Sequence, residues 1–133
     1  MAINTNLKTT NLEADDDLKE YLAKRLAKLN KFIDDEDTSA LADVELERRP
    51  GQNTGEIYRA EINLKIAGSY LRAEETAEAI RDAIDEVQAE MIREIRKAKE
   101  KRRGRIRAGA RKMKQMIQGL YGGGPENLPE DSV

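Results

Sequence analysis

The apolar positions of this chain repeat with two periods, and each change of period marks a new element. Ile3, Thr5 and Leu7 alternate with Ala2, Asn4 and Asn6, so Ala2 to Lys8 reads as a short strand. Leu18, Leu22, Leu26, Leu29 and Ile33 then recur at steps of four and three, the seam of an amphipathic helix. Asp15 is its N-cap, with Asp16 and Asp17 in the positive first turn. Asp34 to Thr38 is acidic and reads as a loop. Ala42, Val44 and Leu46 alternate with Asp43, Glu45 and Glu47, and Pro50 ends that strand in a turn-rich connection from Arg49 to Gly55. Tyr58, Ala60, Ile62, Leu64 and Ile66 face one way, and Arg59, Glu61, Asn63 and Lys65 the other. After a tight turn at Ala67-Gly68-Ser69, Tyr70 to Glu74 is the last strand, with Leu71 and Ala73 inward. Thr76 caps a long helix whose stripe is Ile80, Ile84, Val87, Met91, Ile95 and Ala98.

The order is β-α-β-β-β-α, with each strand half apolar and two amphipathic helices available to cover one sheet face. That predicts a two-layer α+β domain, a four-stranded sheet with two helices on one face, over residues 1–103. At Arg102 a charge falls where the stripe requires an apolar side chain, so the helix leaves the core near that point. Gly104 and Gly109 each cost a helix about 1 kcal/mol relative to Ala. The stripe resumes at Ile106, Ala110, Met113, Ile117 and Leu120, so residues 104–121 read as a basic helical extension, with Arg105 to Leu120 a second, conditional helix. Gly122-Gly123-Gly124-Pro125 ends regular structure, and residues 122–133 read as a disordered acidic tail.

Charge changes this picture more than composition does. The net charge of −2 conceals a division: residues 1–92 carry 12 basic and 21 acidic side chains. Residues 93–114 carry 12 basic against only Glu94 and Glu100. Such asymmetry points to a polyanionic partner. By helical phase Lys24, Lys28 and Lys31 lie about 180–240° from the first seam, with Arg25 at their flank. Arg93, Arg96 and Lys97 lie away from the second stripe, and Lys99, Lys101, Arg102, Arg103 and Arg105 continue the run. With the two helices side by side on the sheet, these form one positive surface able to meet a phosphate backbone.

Other chemistry finds no support. The chain has no His and no Cys, and no glycine-rich phosphate loop. Its carboxylates show no catalytic or metal-binding spacing, so neither an enzyme, a metal nor a cofactor is expected. Tyr58 and Tyr70, at strand positions, are expected to fill or edge the core. No apolar run is long enough for a signal peptide or a membrane span. The expectation is a cytoplasmic protein, monomeric when free, with neither a membrane nor a small molecule as partner.

Residues 20–32, Glu-Tyr-Leu-Ala-Lys-Arg-Leu-Ala-Lys-Leu-Asn-Lys-Phe, resemble the first helix of the ribosome hibernation-promoting factors, or ribosome-associated translation inhibitors. Leu71-Arg72-Ala73-Glu74 resembles the segment leading into their second helix, and residues 79–85 that helix's opening. The resemblance spans roughly residues 2–103. It implies a non-enzymatic factor, of the short type, that binds ribosomal RNA of the small subunit in the channel for messenger and transfer RNA. Such factors silence translation under stress. It also implies rRNA contacts from Lys24, Arg25, Lys28 and Lys31 on the first helix, and from Arg93 and Lys97 on the second. The chain departs from the family at Glu75-Thr76-Ala77, where an Asp-apolar-Tyr triplet is common, and at Glu86 and Ala89, where Lys or Arg is usual. RNA contacts on the second helix are therefore expected from Arg93 onward.

Two other classes fit parts of the pattern. A double-stranded-RNA-binding module also sets three strands between two helices. Such modules place their lysines at the start of the second helix, where this chain has Glu74-Glu75-Thr76-Ala77-Glu78. A helix-mediated protein-interaction domain would instead use Ile106 to Leu120.

Overall fold

Alternation in the strand segments and a step of three or four in the helices produce the expected order. The computed structural model describes residues 3–33, 40–51, 54–66 and 68–120. Within them run β1 (Asn4–Thr10), α1 (Asp16–Ala27), a 3-10 helix (Lys28–Phe32), β2 (Leu41–Arg48), β3 (Tyr58–Ile66), β4 (Ser69–Ala77) and α2 (Ile80–Leu120). The strands form one mixed sheet in the order β1-β2-β3-β4, with β1 parallel to β2 and the other pairs antiparallel. The acidic stretch Asp34 to Thr38, Ala67 of the tight turn, and the tail from Gly122 lie outside the described residues.

Register decides which side chains meet. Leu7, Val44, Ile62 and Ala73 stand in one row across all four strands on the helix side. That row and its neighbours meet Leu18, Leu22, Leu26, Leu29 and Ile33 from the first helical segment and Ile84, Val87, Met91 and Ile95 from α2, in one aliphatic core. Ala73 is buried and Leu71 half-buried, as the alternation predicts. Tyr70 differs from expectation: it is 77% exposed on the opposite face, beside the Lys65 ammonium at 5.8 Å. Its position falls out of phase with Leu71 and Ala73, and so away from the helices. Gly68 has φ +78°, the left-handed conformation that a tight strand turn requires and a Cβ resists.

Asp15 caps α1 as expected, accepting a 2.8 Å hydrogen bond from the Leu18 backbone N–H. Thr76 does not cap α2. It sits in β4, opposite Arg59, and its hydroxyl donates to Glu56 at 2.7 Å. β3 begins at Tyr58, whose partner is Ala77, so the ladder continues through Thr76, a β-branched residue suited to it. The helix therefore starts at Ile80.

Two compact units divide the chain, Met1–Lys97 and Ala98–Val133. Ile95 is the last buried α2 residue among those described, one turn before the division and two before Arg102. Instead of a separate second helix, α2 runs unbroken through Gly104 and Gly109. Ala, Arg, Lys, Met and Gln fill most of the surrounding positions, and these strong helix formers offset the cost of two glycines.

Candidate nucleic-acid interface

α1 and the first turns of α2 lie side by side and parallel, because each contact between them advances along both. The Tyr21 hydroxyl donates to Asp85 at 2.6 Å, and Arg25 Nε lies 2.9 Å from the same carboxylate. Gln88, buried, donates its side-chain amide to the Arg25 carbonyl at 2.9 Å. Further on, the Arg96 guanidinium stands over the Phe32 ring at 5.2 Å. Parallel helices that both begin acidic and turn basic bring their cations to the same end of the layer.

Lys24, Lys28 and Lys31 are exposed. Lys24 pairs with Glu20 at 3.3 Å, with both side chains mostly in water, a contact that contributes little. Lys28 and Lys31 lie in the 3-10 segment, where residues three apart eclipse. They stand one above the other, while Leu29 and Phe32 repeat the same spacing on the inner side. The row inferred from α-helical phase is thus built by two kinds of helix.

Arg25 is held differently from the lysines. Its Nη2 donates to the Tyr21 hydroxyl at 2.9 Å, and its guanidinium stacks on that ring at 4.9 Å. The Tyr21 hydrogen bond and, more weakly, the Asp85 charge hold its pKa above the ordinary arginine value. Arg25 therefore braces α1 against α2. Arg81, absent from the sequence-based set, stacks on the same ring at 4.8 Å and is exposed. The available signal was its spacing of four from Asp85, but only the fold brings Tyr21 to it. On α2, Arg93 pairs with Glu90 at 2.6 Å and Lys97 with Glu94 at 3.5 Å. Lys99, Lys101, Arg102, Arg103 and Arg105 belong to the second unit, on the same helix.

One carboxylate on the helix side opposes this positive trend. Burial first, and then the fields of Glu86 and Glu90, hold the Glu75 carboxyl above the usual range. Among the described residues no three His, Cys, Asp or Glu converge as a metal site.

The Tyr21–Asp85 bond yields a direct expectation. Tyr21→Phe and Asp85→Asn should each lower unfolding stability by about 1 kcal/mol, and the double variant by little more than either single one. Urea denaturation of the four proteins measures that coupling. Fully additive losses would show that the two side chains do not act together.

This fold, with its acidic sheet and basic helix ends, defines a class that comparison identifies. The family model described as sigma 54 modulation protein / S30EA ribosomal protein matches residues 5–103, and the chain belongs to that family of ribosome-associated proteins. The crystal structure of the Thermus thermophilus Protein Y N-terminal domain is similar at 27% identity and TM-score 0.60, covering 73% of this chain and 98% of that one. A structure of a ribosomal subunit interface protein from Coxiella burnetii shares the fold at 18% identity and TM-score 0.55, covering 74% and 98%. No curated protein matches the chain.

Proposed function

We propose that this protein binds the ribosomal RNA of the small subunit in the channel for messenger and transfer RNA, and silences translation by occupying it. The carrying observation is the parallel pair of helices, which expose Lys24, Lys28 and Lys31 along the first and Arg93, Arg96 and Lys97 along the second, in a family of ribosome-associated proteins. Lysines meet phosphate as point charges and arginines add bidentate contacts. Arg25 serves chiefly to fix the spacing of the two helices. Residues 1–103 supply the binding surface, and the basic run at 104–121 adds long-range attraction. The mode of action is occupancy, with no substrate turned over.

Sedimentation with purified ribosomes, and then with separated subunits, tests the partner. Deleting residues 105–133 should retain most of the affinity. In a cell-free translation reaction, inhibition should reach its end point at about one factor per ribosome, as occupancy of a single channel requires. Full inhibition far below the ribosome concentration would point to an enzyme and overturn the reading.

A further inference from the structure

The second unit carries an exposed apolar stripe among its cations, for which contact with phosphate has no use. From Lys101 to Leu120 there is no Asp or Glu. Ile106 (64% exposed), Met113 (68%), Met116 (67%) and Ile117 (47%) stand open to solvent within this stretch of helix. Only Leu7 and Tyr70 are comparable exposed hydrophobics among the described residues, so the apolar exposure is concentrated here.

Helical phase sorts the side chains into three zones. Ala110, Met113 and Ile117 fall within about 40° of Ile106, with Met116 at the edge of the stripe. Arg103, Lys114 and Arg107 flank it at about 60–100° on one side, and Arg105 and Lys112 at about 100–120° on the other. The opposite side carries Gly104, Ala108, Gln115 and Gly119, with Lys101 and Arg111 beside them. Cations thus stand all round this helix, whereas its exposed apolar side chains are confined to one stripe. Those on the two flanks, on long stems, reach down to the same plane that the stripe faces. The surface complementary to both zones is anionic at its rim and apolar beneath.

We propose that this helix face docks on an anionic phospholipid surface, lying in the headgroup plane with Ile106, Met113 and Ile117 inserted. A second copy of the chain fits poorly: the stripe spans about two heptads where a coiled coil needs three or four, and each flank would meet like charge. Among the described residues no helix is long and apolar enough to cross a membrane. The expectation of no membrane partner rested on the lack of a spanning run, and interfacial docking requires none. The inference is independent of the ribosome reading.

The test is flotation of the full chain with vesicles of phosphatidylcholine alone, and with vesicles in which phosphatidylglycerol replaces part of it. The chain should float with the anionic vesicles and not with the neutral ones. The variant Ile106→Gln/Met113→Gln/Ile117→Gln keeps every charge, and Gln is a good helix former. It should lose about tenfold or more in partition to anionic vesicles, while its sedimentation with ribosomes changes by less than about twofold. Three results would overturn the proposal: no flotation of the wild type, equal flotation of variant and wild type, or a variant that loses ribosomes and keeps lipid. The second would reduce the surface to charge alone, and the third would place the stripe's partner on the ribosome.

Discussion

Reversing Lys24, Lys28 and Lys31 to Glu should lower ribosome affinity by orders of magnitude while the domain stays folded. All three side chains are exposed, and none belongs to the core that Leu18, Leu22, Leu26 and Leu29 build. Some stability is lost. Lys24→Glu would set like charge against Glu20 at a spacing of four, and three anions would replace cations near a helix C-terminus. Each such change costs a few tenths of a kcal/mol to about 1 kcal/mol. Binding suffers far more, because each site exchanges attraction to phosphate for repulsion. Neutralising six to ten phosphates would make affinity fall by about 10³–10⁵ between low and moderate salt. Each lysine removed should lower that salt slope by about 1, so the triple variant should lose about 3. Reversal of Asp34, Asp35 and Asp37, outside the described residues, is the matched control and should not weaken binding. An unchanged affinity and slope in the lysine variant would transfer the function to the run beyond Lys97.

The strands were readable because their alternation is strict, and Asp15 because a capping carboxylate acts within three residues. Where long-range contacts decide, the pattern gave less. The step of three from Leu26 to Leu29 fits an α-helix or a 3-10 segment, so the change at Lys28 leaves no local mark. Thr76 satisfied the local rule for a helix start, but the β3 register held it in the sheet. The bracing of Arg25 and Arg81 around Tyr21 depends on a hydrogen bond between residues 64 apart, which no periodicity announces.

The candidate site shows the same division. Helical phase sufficed to name Lys24, Lys28 and Lys31, because exposure follows from being opposite a seam. It could not separate Arg25, committed to Asp85, from its lysine neighbours, nor show that Glu90 and Glu94 pair with Arg93 and Lys97. Both α2 pairs are spaced by three on one helix and partly exposed, so they are weak enough to exchange for phosphate. The Arg25 pair crosses between helices with a tyrosine hydroxyl in the same network, and its exchange would also release the helix spacing.

Replacing Arg59 with Met should destabilise the domain by about 2–3 kcal/mol at neutral pH. On the sheet face opposite the helices, Glu45, Glu61 and Glu74 stand directly across from one another on β2, β3 and β4. Like charges so placed repel. Arg59, in the adjoining row, reaches all of them: Nη2 to Glu45 at 2.8 Å, and Nη1 to Glu61 at 3.3 Å and Glu74 at 3.2 Å. Its Nε reaches Glu47 at 2.9 Å. Arg72 closes the row from the other side, contacting Glu61 and Glu74. Burial of Arg59 opposes its charge, but the bond to Glu47 and the fields of Glu45, Glu47 and Glu61 hold its pKa above the ordinary value. Glu45 is held below the usual carboxylate range, first by the Thr10 hydroxyl and, against its desolvation, by Arg59. A lowered folded pKa contributes stability that is fully present above the ordinary carboxylate value and lost as pH falls through the folded one. Without Arg59 the sign reverses. Crowded carboxylates then ionise less readily in the folded state, so their cost is largest at neutral pH and fades on acidification. Wild type and Arg59→Met should therefore converge in urea midpoint as pH falls through the carboxylate range. Arg59→Lys should lie between them, since one ammonium cannot span four carboxylates. A deficit that stays constant with pH would show that Arg59 acts through the packing of its stem, and that the acidic row needs no cation.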